Sequence, residues 1–173
     1  MERTLISNAT IMVRPATDKD VETLGSFGAE LMSIHHGWDR YRFIPASPRT
    51  AEMYSRYLES QLGKPDVLVL AADVDGVLAG YVYAGVEGAD YMALRGPAGV
   101  IYDLFVATLH RRKGLGRILL TAAVQSLNQL GASQIVLSTA SRNEAAQRLF
   151  ATMGFSPTMV EMTLQLPRPG VDT

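Results

Sequence analysis

The sequence predicts an α/β domain with elements in the order β-α-α-β-β-β-α-β-α-β, its centre a hairpin leading into a β-α-β unit. Three observations carry this. Two apolar runs flank Asp75-Gly76, a dipeptide suited to a two-residue hairpin turn. A run ending Leu104-Phe105-Val106 leads into a basic turn with two glycines and then a long amphipathic segment. The 173 residues are 47% hydrophobic and 19% charged, too apolar for disorder. At about 150 residues per domain, one domain over 1–173 is expected, with a core of about 11–166 between short tails.

Ile11 to Arg14 alternates and reads as a first strand before Pro15, and Thr17 to Asp20 offers N-cap residues. Val21, Leu24, Phe27, Leu31 and Ile34 then recur at spacings of three and four, predicting a helix that ends near Gly37. His36 to Pro48 reads as a loop with large side chains. Ser47-Pro48 opens a second helix to about Leu62, with Gly63 beyond its end. Val67–Val74 and Val77–Val86 are the hairpin strands. The Gly-rich stretch from Glu87 connects to a strand over Gly99–Val106, and Leu115 to Leu130 forms a helix with Leu115, Leu119, Ala122, Leu127 and Leu130 on its apolar face. A strand at Gln134–Ser138, a helix at Asn143–Met153 and a last alternating strand at Ser156–Leu166 complete the chain.

Sixteen basic and seventeen acidic residues give a net charge of −1. Such a chain has no global field for nucleic acid or an anionic membrane, so any anion site is local. The absence of cysteine excludes disulfides, thiolate metal sites and cysteinyl intermediates. His36 and Asp39 make only a pair, so no metal is expected. The first residues lack a signal-peptide core and no apolar run reaches membrane-spanning length, so a soluble cytoplasmic protein is expected.

Chemistry concentrates in the stretch from Ile101 to Arg117. A strand, a basic turn and a helix N-terminus together form an anion cradle, because the first amides of a helix have no partner within it and glycines admit a pyrophosphate close to the backbone. Arg111, Arg112, Lys113 and Arg117 add positive charge. A P-loop is excluded because Arg117-Ile118 follows Gly116, and a dinucleotide-binding fingerprint because Leu119 replaces its last small residue.

The pattern Arg-x-x-Gly-x-Gly, here Arg111-Arg112-Lys113-Gly114-Leu115-Gly116, resembles the pyrophosphate loop of the GNAT superfamily of acetyl-CoA-dependent N-acetyltransferases. The likeness extends from Val13-Arg14-Pro15-Ala16-Thr17 through Gly80 to Asn143-Glu144-Ala145-Ala146, Phe150 and Met153-Gly154-Phe155. It implies a mixed, mostly antiparallel sheet of six to seven strands flanked by about four helices, splayed at the strand ending near Val106. It also implies acetyl-CoA as co-substrate, transfer by direct attack of a primary amine of a small molecule or peptide, and no metal. By the same resemblance the backbone of Leu104, Phe105 and Val106 holds the pantetheine arm and turns an amide toward the thioester carbonyl. Residues Arg111, Arg112, Lys113, Gly114, Leu115, Gly116 and Arg117 hold the pyrophosphate, mainly through amides, and Asn143 bonds the arm near the thiol. Relatives often dimerise, and Met159–Leu166 is a candidate strand for pairing across a homodimer.

The catalytic residues stay open at this level. Many relatives carry a tyrosine acid where this chain has Phe150, and all seven tyrosines lie at or before Tyr102. Asp103 leads the candidate bases, with Glu144, His35 and His36 behind it and Tyr102 as substitute acid. Strand geometry sends Tyr102 and Asp103 to opposite faces, so one of them is expected in the cleft. His35, His36, Trp38 and Tyr41 are candidate acceptor residues, the alternatives being a solvated helix end and a satellite core. Arg40 and Arg42 either read an acceptor carboxylate or are surface charges, while His110 is expected to face solvent. Gly88 to Pro97 is a candidate cover. A catalytically weak acyl-CoA sensor of the same fold is the alternative function, and Phe150 is the residue that favours it.

Overall fold

The computed structural model describes residues 2–6 and 9–166, with side chains from Thr10 onward. Its elements are β1 (Glu2–Ile6), β2 (Ala9–Pro15), α1 (Val21–Trp38), α2 (Thr50–Glu59), β3 (Val67–Val74), β4 (Val77–Glu87), β5 (Ala98–Val106), α3 (Leu115–Gln129), β6 (Ile135–Leu137) and α4 (Glu144–Thr152). The strands form one sheet in the order β1-β2-β3-β4-β5-β6, antiparallel throughout except for the parallel β5–β6 pair.

Both residues of the central turn, Asp75 and Gly76, have positive φ (51° and 81°). That is the backbone whose twist matches a two-residue hairpin. Alternation then sorts β4: Tyr81 and Tyr83 pack with Leu24, Leu58 and Phe105 beneath α1 and α2, while Val82 and Ala84 pack with Leu115, Leu119, Leu120, Ala123 and Leu127 of α3. The sheet therefore has a core on each face.

Six strands form, but not the six expected. The expected N-terminal tail contributes β1, which pairs with β2 from Glu2↔Val13 to Ile6↔Ala9. The expected last strand at Ser156–Leu166 does not form: these residues have no strand partner among the described residues, and Met159, Val160, Met162, Leu164 and Leu166 are exposed. The alternating pattern is therefore not paired into the sheet, and the strand on which pairing across a homodimer was based is absent from it. The second helix stops at Glu59, short of Leu62, and Leu130 caps α3 in solvent instead of extending its buried face.

What positions the site is the parting of β5 from β6. They pair only over Gly99–Ile101 with Ile135–Leu137, so Tyr102 to Val106 have no strand neighbour on that side among the described residues. The splay ends at Val106, where it was expected.

Candidate active site

The gap opened by the splay is a cleft of ≈ 290 Å³ between β5, α1, α2 and the start of α4. Asp103 stands on its wall. A bulge in the β4–β5 ladder pairs Tyr83 with Asp103 and Ala84 with Ile101, leaving Tyr102 without a partner on β4. The extra residue cancels the strand's alternation locally. Tyr102 consequently lies on the same face as Asp103, its ring 4.6 Å from that of Tyr83, and both line the cleft. The expectation that the two side chains point oppositely is thereby corrected.

The Asp103 carboxyl is held through one oxygen. Its Oδ2 accepts from the hydroxyls of Tyr54 and, at 3.2 Å, Tyr81. Its Oδ1 has no hydrogen-bond partner among the described residues and is not sealed from solvent. Burial raises the Asp103 pKa, against the two tyrosine bonds and nearby His35, which lower it. Tyr102 donates to Glu87 Oε1 at 2.7 Å; burial first and that bond second hold its proton more tightly than usual.

Beyond Val106 the chain turns through a short 3-10 segment, Thr108–His110, into the basic loop. Gly114 caps α3 with φ +81° and Arg112 has φ +61°, so two left-handed residues curl the loop around its own amides. The amides of 112–116 have no partner among the described residues. Five free donors at a helix N-terminus fit a pyrophosphate.

A match to the acetyltransferase (GNAT) family covers residues 31–155. The chain belongs to this family. It is 32% identical over 131 residues to the L-methionine sulfoximine/L-methionine sulfone acetyltransferase of Salmonella typhimurium, covering 75% of this chain and 68% of that protein. It is 36% identical over 95 residues to a mycothiol acetyltransferase of Thermobispora bispora, which is 53% of this chain but 30% of that longer protein. Among solved structures, a mutant of the BH1408 protein from Bacillus halodurans superposes with TM-score 0.77 at 19% identity, covering 90% of this chain and 99% of that one. An aminoglycoside N-acetyltransferase, AAC(6')-Iy, in complex with CoA superposes with TM-score 0.68 at 17% identity, covering 91% and 95%. The likeness to the two structures is one of fold.

Within this GNAT frame the remaining expected residues separate. Leu104 and Asn143 line the cleft, and Asn143 also caps α4, its Oδ1 accepting from Ala146 N at 3.3 Å. Phe105 and Leu115 bury their side chains in the two cores, leaving only backbone for a ligand. Arg111 is exposed but engaged, its Nε donating to the Val106 carbonyl at 2.8 Å and its guanidinium 3.5 Å from Glu30, and Arg117 donates to Thr152 Oγ1 at 2.6 Å. Arg112 and Lys113 are exposed with no hydrogen-bond or ion-pair partner for their charged groups among the described residues, which leaves them free to add charge at the loop.

On the acceptor side His35 and Phe43 line the cleft, whereas His36, Trp38 and Tyr41 do not. His36 Nδ1 bonds the Phe43 carbonyl at 2.7 Å, Trp38 packs edge-on to His35, and Tyr41 is 76% exposed. Arg42 pairs with Glu161, so it does not await an acceptor carboxylate. Glu144 is exposed beside Arg148, and His110, expected to face solvent, is half-buried, its Nδ1 buried with no hydrogen-bond partner among the described residues. The 88–97 segment closes on itself through an Asp90–Arg95 bridge and does not line the cleft. No cluster of three or more His, Cys, Asp or Glu suited to a metal occurs among the described residues, and no described helix is long and apolar enough to cross a membrane.

Sequence reasoning missed Tyr54 and Tyr81, which lie 49 and 22 residues from the carboxylate they bind. The available signal was Gly25 and Gly28 on the apolar side of α1. A Cβ on Gly28 would stand 2.3 Å from the Tyr54 ring, so two small residues let α2 approach closely enough to deliver Tyr54.

Proposed function

We propose that this chain transfers the acetyl group of acetyl-CoA to a primary amine of a small molecule by direct attack, with Asp103 as base. The observation that carries this reading is the open Oδ1 of Asp103, set on the splayed strand whose far end runs into the amide cradle. When bound, acetyl-CoA supplies the acetyl group as a thioester; the amides of 112–116, with Arg112 and Lys113, hold its pyrophosphate. The unpaired edge of β5 at Leu104–Val106 lines the pantetheine arm, with Asn143 opposite. Asp103 Oδ1 takes a proton from the amine nitrogen as that nitrogen bonds the acetyl carbon, and the carbon–sulfur bond breaks with its electron pair on sulfur. Burial that raises the carboxyl pKa makes it a better base near neutrality. Tyr102 lines the same cleft and is the candidate acid for the thiolate, but its hydroxyl donates to Glu87 and holds its proton more tightly than usual, so to act it would have to give up that bond.

A small acceptor is supported by relatives named for mycothiol and for L-methionine sulfoximine. Calorimetric titration with acetyl-CoA, with CoA and ATP as controls, followed by thiol release across a panel of amines, tests this reading. Binding of acetyl-CoA but not ATP, with amine-dependent thiol release, is expected; no acetyl-CoA binding by folded protein overturns it. The sensor alternative draws on Phe150, which lies in an apolar cluster and has no proton to give. It predicts binding without thiol release.

A further inference from the structure

We infer that Tyr54 is a positioning residue for the base: its hydroxyl, beside that of Tyr81, ties down Oδ2 of Asp103 so that Oδ1 alone faces the acceptor. The inference rests on the proposed role of Asp103. A carboxyl swings about its last side-chain bond and can offer either oxygen. Here both donors converge on the same oxygen, one from α2 and one from β4, while the other oxygen of this cleft-lining residue has no hydrogen bond among the described residues and is not sealed from solvent.

The donors are themselves fixed. Tyr81 is buried and its ring packs against Phe27 and Phe105. The Tyr54 ring lies over Gly28, where a Cβ would stand 2.3 to 2.6 Å from three of its atoms. Position 28 therefore sets where the hydroxyl ends. The groups facing Asp103 are Tyr54 from α2, Tyr81 and Tyr83 from β4 and His35 from α1; no lysine or arginine pairs with it among the described residues. Two neutral hydroxyls orient the carboxylate without neutralising it, which keeps it available as a proton acceptor.

Tyr54→Phe keeps the ring over Gly28 and removes only the hydroxyl. Tyr57→Phe is its control, since the Tyr57 hydroxyl bonds Tyr83 at 2.9 Å and not Asp103. The Tyr54 variant is expected to lose about 10-fold or more in kcat, with KM for the acceptor and Kd for acetyl-CoA changed little. Its acid limb moves to higher pH, because a bond that favoured the charged carboxyl is gone. The Tyr57 variant keeps the wild-type profile. A second readout needs no turnover: by NMR, the Asp103 carboxyl carbon titrates at higher pH in Tyr54→Phe than in wild type. An unchanged midpoint overturns the inference, as does a shifted midpoint with unchanged kcat in active enzyme. A wild type that turns over no amine overturns the proposed function instead; the midpoint then decides the clamp alone.

Discussion

The ring of Tyr54 occupies the space a side chain at Gly28 would need, with Cδ1, Cε1 and Cγ at 2.3, 2.5 and 2.6 Å from where a Cβ would stand. A helix interior ordinarily gains up to about 1 kcal/mol when glycine becomes alanine. At Gly28 the inserted methyl must displace an aromatic ring, and overpacking of that kind costs about 1–3 kcal/mol. Gly28→Ala is therefore expected to lower stability and, by moving Tyr54, to lower kcat as well. Gly37, in the last turn of the same helix, has nothing within 4 Å of its Cβ position. Gly37→Ala is expected to be neutral or stabilising. Chemical denaturation of both variants checks the contrast, and equal effects would remove the packing argument.

Asp103→Asn separates chemistry from architecture. The amide cannot take a proton, so turnover is expected to fall by on the order of 100-fold or more. Acetyl-CoA affinity should hold, because the amide cradle lies beyond Val106 on the far side of the splay. Burial raises the pKa of this carboxyl, meaning that the charged form is disfavoured on folding, so a neutral replacement should leave Tm equal or higher. Steady-state kinetics and a melting curve on one preparation decide it. A fall in Tm together with lost acetyl-CoA binding would make Asp103 a structural residue.

The hairpin, the basic turn and the three longer helices were legible because each is specified by neighbours in sequence: Asp75-Gly76 needs two positive φ values, and Gly114 closes a turn before a period of three and four. The site was half legible. Asp103, Leu104 and Asn143 sit on elements whose ends the local pattern fixes. Tyr54 reaches the carboxylate only through the packing of α1 on α2, and Tyr102 shares its face only through a one-residue bulge; no local spacing encodes either. Ser156–Leu166 failed oppositely, since alternation is a local pattern and does not specify pairing with the edges that β5 and β6 leave open among the described residues.

An acid-labile tie joins two neighbouring strands, β2 and β3, to the start of α1. Arg14 on β2 bonds Asp20 at 2.7 Å and Asp73 on β3 at 2.7 Å, and Asp20 also accepts from the amide and hydroxyl of Thr17. The Arg14 bond, ahead of those from Thr17, lowers the Asp20 pKa from 3.8 to about 2 against the opposing effect of burial. Because the folded value lies below the unfolded one, this stability is present above pH 4 and disappears as pH falls from about 4 to 2. It amounts to about 2 kcal/mol. Asp20→Asn should lose that amount at neutral pH and show a flatter decline between pH 4 and 2 in urea titrations. Parallel pH curves for the two proteins would exclude the tie as the source.

The proposed acetyl-CoA loop offers a way to separate backbone from charge. Gly114 holds φ +81° at the N-cap of α3, a conformation that a β-branched residue reaches only at a cost of roughly 1–2 kcal/mol. Gly114→Val should turn the amides of 112–116 out of register and raise the Kd for acetyl-CoA by about 10-fold or more. Arg112 is also left-handed, with φ +61°. Asparagine tolerates that region, so Arg112→Asn keeps the turn and removes one exposed charge. If amides carry the pyrophosphate, this variant loses affinity only a few-fold, and the loss shrinks in high salt because an exposed charge is screened. Calorimetry at low and high salt measures both. A larger loss from Arg112→Asn than from Gly114→Val would move the main burden of binding from the backbone to the guanidinium.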